Sequence, residues 1–320
     1  MCVGITGSTG LVGSEVVTNL VTAGQEVVRL VRRIPAPGEM AVRWDPAKEE
    51  VDAGRLEGLD AVVHLAGENI ASGRWNAARK AAIRDSRVNG TRHLCEALAG
   101  LARPPKTLVC ASAIGYYGDR GEDALTEKSP AAAGFLPEVC REWEAASGPA
   151  ARKGIRVVAL RIGVVLSPKG GALSRMLPLF RIGLGGVIGN GRQYVSWVAL
   201  DDLPRIILHV LQCGDLNGPV NAVAPRPVTN REFTEALGKV LSRPTPLPVP
   251  GFALRLAVGG EMADALLLAS ARVVPRRLKE TGYQFRFPEL PAALRHLLGK
   301  EVEGDIPGLT PGAGKECPPP

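Results

Sequence analysis

The sequence predicts an α/β chain built on a doubly wound parallel sheet, with a smaller C-terminal region to one side. Three observations carry that expectation. Strand-like runs alternate with helical patterns as far as about residue 170; the runs are apolar throughout, as in strands covered on both faces; and a glycine-rich turn joins the first strand to the first helix.

In order, "CVGITG" is the first strand and "SEVVTNLVTAG" the helix after it. "EVVRLVR", "DAVVHLAG", "KTLVCASA" and "RVVALRIGVVL" are further strands, and "VNGTRHLCEALAGLA" is a helix between two of them. Strand and helix in alternation imply right-handed crossovers and a parallel sheet. Beyond Gly170 come glycine-rich loops such as "GLGGVIGNG". Thr229 and Glu232 form a capping box that opens a helix. The proline-rich run 242–251, "SRPTPLPVPG", reads as a linker into a last helical segment of about fifty residues. From 299 on, too few apolar residues remain to fold, so a loose tail is expected. The expected units are therefore a nucleotide-binding domain over 1–241, a small helical domain over 245–297 and a disordered tail over 299–320.

Composition narrows the classes. At 320 residues the chain can bury one large core or two modest ones. The net charge is +7, but its cations are scattered, with no basic block interleaved with aromatics, so nucleic acid is not an expected partner. The six cysteines stand singly, without CxxC and without a neighbouring His that would make a zinc site, which fits reduced thiols. A reducing compartment follows: the cytoplasm, or an organelle matrix if a transit segment once preceded Met1. Arg161, Glu261 and Asp264 interrupt the longest apolar stretches, so no membrane partner is expected. A small-molecule substrate is expected, and a protein partner or homo-oligomer stays open.

The strongest local signal is "ITGSTGLVGSEVV". Gly7 and Gly10 let the turn tighten and the backbone approach a pyrophosphate, and Gly13 lets the helix pack against the sheet. The free amides near Thr9, Gly10, Leu11 and Val12 then face the phosphate charge. The spacing is TGxxGxxG, and its place between strand and helix makes it a Rossmann-type dinucleotide signal. Where an NAD enzyme carries a carboxylate for the ribose hydroxyls, this chain reads Arg32–Arg33. Arginine offers paired donors to a phosphate, so NADP(H) is the expected cofactor, with Arg32 on the 2′-phosphate; two solvated arginines are the alternative.

Together "TGSTGLVG", "DAVVHLAG", "SAIGYYG" and "RIGVVL" resemble the extended short-chain dehydrogenase/reductase superfamily. "HLAGENI", "RWN", "GYYGDRGE", "WEAA", "IGLGGVIGNGRQYVSWVALDDL", "NAVAP" and "VVPRR…TGYQF" are similar, more narrowly, to its SDR39U1-like or YfcH-like epimerase branch, over about residues 1–297. The resemblance implies a Rossmann sheet, a small C-terminal domain of the branch over about 245–297, and oxidoreductase or nucleotide-sugar-epimerase-like chemistry. It also places the adenine side against a helix after the second strand and the nicotinamide ribose against Leu65, Ala66 and Gly67. Arg87 stands where the superfamily often has Asn, and it would either meet the cofactor or lie solvated on its helix.

Catalysis in that superfamily uses a Ser or Thr, a Tyr, and a Lys four residues after it, whose charge favours the phenolate. Here Tyr116, Tyr117, Tyr194 and Tyr283 are followed at that spacing by Arg120, Gly121, Val198 and Phe287. Aligned on "WEAA", Leu136 stands at the tyrosine position and Cys140 at the lysine position; Ser112 lies one residue before the usual serine, held by Ala113. A single shift on a strand turns a side chain to the other face unless a bulge intervenes.

The candidate catalytic residues are therefore Ser112, Tyr117 and Glu68. Glu68 follows a strand at the carboxyl edge and would be a base if buried, or otherwise a loop or cap residue. Tyr116 and Tyr117 would offer a phenol to substrate or pack beside glycine. Arg161 interrupts an apolar strand and needs either a bound anion or an internal carboxylate. His64, Trp75, Trp143 and Trp197 read as packing residues, and Asp201 and Asp202 first as a helix cap. Two functions fit: an NADP(H)-binding oxidoreductase or epimerase-like enzyme, and a non-catalytic NADP(H)-binding sensor or docking protein, division-related in some labels of the branch.

Overall fold

A computed structural model describes residues 1–300 of the chain; the part of the expected tail that runs from 301 to 320 lies outside the described residues. β1 (Cys2–Thr6) leads through the glycine turn into α1 (Leu11–Thr22), followed by β2 (Glu26–Val31), β3 (Ala41–Asp45) and β4 (Glu50–Val51). Next come β5 (Ala61–His64), the long α2 (Ala77–Gly100), β6 (Thr107–Ala113), a one-turn helix over Ile114–Tyr117 and β7 (Ala124–Leu125). α3 (Phe135–Ala145), α4 (Gly148–Arg152), β8 (Arg156–Ile162), β9 (Val164–Leu166) and α5 (Gly171–Arg181) precede β10 (Tyr194–Val195) and β11 (Trp197–Ala199). The chain continues through α6 (Asp202–Gln212), β12 (Gly218–Ala222), β13 (Val228–Thr229) and α7 (Asn230–Leu241). Its last described part holds α8 (Gly251–Val258), α9 (Gly260–Ala263), β14 (Arg272–Val273), α10 (Arg276–Glu280) and α11 (Leu290–Leu297).

The main sheet runs β12-β8-β6-β5-β1-β2-β3-β4, parallel except for the antiparallel β3–β4 edge. Its apolar runs are continuous because both faces are covered. Val3, Ile5, Val63 and Val109 pack with α1 and α6 on one face, while Val62, Leu108 and Cys110 pack with α2 on the other. The chain winds outward from β1 in both directions, so the switch point lies between β1 and β5. There Thr6 sits level with Leu30 and His64 at the carboxyl edge, where open α/β sheets take ligands.

Four expectations change. No helix follows β2: residues 32–40 form a loop, because Pro35, Pro37 and Gly38 cannot sustain helix, and the chain enters β3 directly. The run 242–251 is a fitted strap rather than a linker: Val249 N–H donates to the Val187 carbonyl at 2.8 Å and Gly189 N–H to the Val249 carbonyl at 2.9 Å. The last segment is not all helical, since β14 pairs in parallel with β7.

The fourth concerns Asp202. Asp201 makes no capping bond, and Asp202 is buried, accepting from the Arg286 and Phe287 amides at 2.8 and 3.0 Å and from the Tyr283 hydroxyl. Burial raises its pKa, and these donors work against that rise. It latches the C-terminal segment onto α6. Phe287, Leu290 and Leu294 then complete a core with Phe180 of α5 and Phe233 and Leu237 of α7. The Thr229–Glu232 capping box forms as expected at the start of α7.

Candidate functional site

The glycine turn is shaped for close backbone approach. Gly7 has a φ of +67°, and a Cβ there would lie 2.9 Å from the Leu65 carbonyl carbon, so the end of β5 leaves room only for glycine. A Cβ on Gly13 would collide with the Gly7 carbonyl oxygen and stand 2.8 Å from its carbon. Gly10 N–H closes the turn onto Gly7 O at 3.0 Å. Thr9 and Gly10 are exposed and Leu11 and Val12 half-buried. The first amides of the twelve-residue α1 thus open at the sheet edge with no helical partners. That cradle fits a pyrophosphate.

At the end of β2 the two arginines differ. Arg33 is held by Glu39, whose other oxygen also accepts from Arg33 at 2.8 Å. The Arg33 hydrogen bond, with that of the Ala36 amide, pulls the Glu39 pKa down to about 2. Arg32 is exposed and has no hydrogen bond or ion pair among the described residues. Its guanidinium is therefore open at the end of β2.

Beneath the cradle, Thr6 Oγ1 accepts from the Leu65 and Ala66 amides at 3.0 and 3.2 Å and lies 2.7 Å from His64 Nδ1. Its own proton therefore goes to Nδ1, which leaves the His64 proton on Nε2, donated to Thr91 Oγ1 at 3.0 Å. Trp143 Nε1–H donates to the same Thr91 oxygen at 2.9 Å. His64 is a satisfied core histidine, and burial pushes its pKa down to about 4. The unfolded chain therefore binds the proton more tightly. His64 contributes about 3 kcal/mol of stability that is fully present above pH ~6.5 and lost as pH falls through its folded pKa. Urea unfolding should show that decline in the wild type and a flatter profile in His64→Gln; equal slopes between pH ~6.5 and ~4 would refute it.

Leu65, Ala66 and Arg87 meet at the end of β5. Arg87 is half-buried, not solvated: it donates to the Glu68 carbonyl at 2.9 Å and the Ile83 carbonyl at 3.1 Å, and stacks 5.1 Å from the Trp143 ring. It braces the backbone after Ala66, and burial lowers its pKa. Glu68 is exposed and ion-paired with Arg79 at 3.1 Å. The burial that a base would need is absent, because Gly67–Asn69 bulge into solvent, and Glu68 acts as a loop residue.

Ser112 and Tyr117 both turn inward. Ser112 is 3% exposed and donates to Glu144 Oε1 at 2.7 Å. Glu144 also receives Arg161 through Nε at 2.7 Å and Nη2 at 2.8 Å. Arg161 is 3% exposed; burial opposes its charge, but the Glu144 hydrogen bonds outweigh that and its pKa is raised. The Arg161 Nη1 donates to Tyr117 Oη at 3.0 Å, and Tyr117 donates to Asn221 Oδ1 at 2.7 Å. Tyr117 is fully buried, and burial raises its pKa to about 12. A phenol so placed cannot touch a substrate, which corrects the expectation of Tyr117 as proton donor: the turn over Ile114–Tyr117 sends it into the core. Tyr116 stays half-buried, its ring 3.5 Å from the Arg161 guanidinium and its hydroxyl without a partner among the described residues.

At the superfamily's Tyr and Lys positions, Leu136 and Cys140 of α3 face Gly115: a Cβ there would lie 3.5 and 3.8 Å from them. Burial raises the Cys140 thiol to about 12, so it is neutral and cannot replace the lysine's charge. The sequence correctly required a partner for Arg161, but Glu144, Glu127 and Asn221 carried no local signal of belonging to the same buried network.

A parallel sheet with a glycine cradle at its switch point and an arginine beyond β2 defines a dinucleotide-binding Rossmann protein of the extended short-chain dehydrogenase/reductase type. Residues 3–222 match the NAD dependent epimerase/dehydratase family, and 249–297 match a domain of unknown function, DUF1731. The chain belongs to the NAD dependent epimerase/dehydratase family. It is 46% identical over 294 residues to an epimerase family protein of Mycobacterium tuberculosis, covering 91% of this chain and 96% of that protein. It resembles the crystal structure of human epimerase family protein SDR39U1 (isoform 2) with NADPH at a TM-score of 0.86 and 36% identity, across 94% of this chain and 100% of that one. It also resembles a nucleoside-diphosphate sugar epimerase of Corynebacterium glutamicum at a TM-score of 0.77 and 40% identity, over 95% of this chain and 59% of that one. Among the described residues no helix is long and apolar enough to cross a membrane.

Proposed function

We propose that the chain binds NADPH along the carboxyl edge of β1, β2 and β5. In this reading it acts as an NADP(H)-dependent oxidoreductase or epimerase-like enzyme on a small polar substrate held between that edge and the C-terminal region. The observation that carries it is Arg32, exposed and unpaired beside an intact glycine cradle while Arg33 is taken by Glu39. The NADPH in the human relative's structure supports it.

Gly7, Gly10 and Gly13, with the amides of Thr9, Leu11 and Val12, would hold the pyrophosphate, Arg32 the 2′-phosphate, and Leu65 and Ala66 the nicotinamide ribose. Arg87 keeps that last stretch in place. The bound nicotinamide supplies or accepts a hydride. On the protein's side, Ser112, Glu144, Arg161 and Tyr117 form a rigid floor, and Tyr116 presents the phenol that can donate a hydrogen bond or proton to a substrate oxygen.

Arg32→Ser is expected to weaken NADPH binding by about 10- to 100-fold, the worth of a charged hydrogen-bonded contact, and to leave NADH binding unchanged. Nucleotide fluorescence titration measures both; equal or tighter NADH binding by the wild type, or no binding of either, overturns the cofactor reading. A sensor without turnover is the second reading, favoured by the withdrawal of Ser112 and Tyr117 from the cleft. NADPH oxidation by a small carbonyl metabolite that disappears in Tyr116→Phe would decide for the enzyme.

A further inference from the structure

Of the ten large apolar side chains most exposed among the described residues, six come from two segments, the end of α5 with the loop after it and the strap with α8: Leu179, Ile182, Leu184, Leu247, Phe252 and Leu256. Leu184 N–H bonds the Leu179 carbonyl at 2.9 Å, and Arg243 Nε bonds the Arg181 carbonyl at 2.8 Å, so the end of α5 and the 243–249 strap lie side by side. α8 follows and buries none of its residues; Phe252 and Leu256, 67% and 72% exposed, stand one helical turn apart on the same face. A patch this concentrated marks an interaction surface rather than ordinary scatter.

Its charge selects the partner. The contributing stretches, 169–192 and 236–260, contain four and three Lys or Arg and no Asp or Glu. Lys169 is paired with Glu15 and Arg255 with Asp264, and Glu261 beyond the second stretch is paired with Lys80; that leaves Arg175, Arg181, Arg192, Lys239 and Arg243 without an acidic partner among the described residues, against one exposed acid, Glu235, at the border of the second stretch. A second copy would bring like charge against like charge in a two-fold contact. We propose that this face docks on an anionic phospholipid bilayer, with Phe252 and Leu256 entering the interface and the surrounding arginines meeting lipid phosphates. Counting apolar runs along the sequence cannot show such a surface, because two separate segments build it. Arg74 donates to the Leu256 carbonyl at 2.6 Å and Arg175 to the Ala71 carbonyl at 2.9 Å, so the docked face borders the loop that follows β5.

Flotation of the full chain with phosphatidylcholine vesicles, with and without phosphatidylglycerol, tests this. Binding is expected only to the anionic vesicles and should fall about tenfold or more both in Phe252→Ser/Leu256→Ser and in Arg181→Glu/Arg243→Glu. Arg181→Lys/Arg243→Lys should retain it, and unchanged thermal melts should show that the variants are folded. Absence of binding to anionic vesicles overturns the proposal, as does binding undiminished in both variants. So does self-association of the pure protein that these variants abolish, or capture of an acidic protein by a chain that ignores vesicles. NADPH titration of the same variants should be unaffected, so failure here leaves the cofactor reading standing.

Discussion

Arg161→Met is expected to cost about 2–4 kcal/mol of stability, because it leaves the half-buried Glu144 against Ser112 with its counter-charge removed. Adding Glu144→Leu should restore most of that loss, since an apolar pair of similar volume avoids the cost of burying either charge. Urea unfolding of wild type, single and double variants gives the comparison; a double variant less stable than the single would sink the assignment. The network also has an unmatched end. Glu127 Oε1 accepts from the Asn221 and Arg277 amides at 3.1 and 3.3 Å, while its buried Oε2 has no partner, so part of the floor is not fully satisfied.

Gly13→Ala should be the most damaging single methyl in the cradle. The added carbon meets backbone, which cannot rotate away, so α1 must shift from β1 and carry its first amides with it. The expected result is a loss of about 1–3 kcal/mol of stability together with NADPH affinity at least tenfold weaker. Gly10→Ala should do much less, since its Cβ would approach only the Gly7 carbonyl oxygen, at 3.3 Å. Thermal melts and nucleotide titration rank the two; the reverse order would show that the turn is not held as described.

The contrast between these two sites explains what the sequence could reveal. The glycine turn is local: three glycines between a strand and a helix state a backbone geometry directly. The need for a partner at Arg161 is also local, since an arginine among Val, Ala, Leu and Ile must be paid for somewhere. The identity of that partner is not, because Glu144 reaches it only when α3 folds over β6 and β8. Tyr116 and Tyr117 are equivalent in composition and spacing, and one turn of helix decides which is buried. Asp202 looked like a cap because acids at helix starts usually are; its donors come from distant backbone that no short-range rule includes. β3 was hidden behind a proline-rich loop, in a place where the resemblance implied a helix.

The Asp202 latch has a consequence for how the chain is made. On a ribosome the carboxylate emerges 81 to 85 residues before the hydroxyl and two amides that satisfy it. Throughout that interval Asp202 lacks the three donors that hold it, and α6 lacks the segment that it latches. A chain stopped before Tyr283 is therefore expected to be cut by protease around α6 more readily than the full chain.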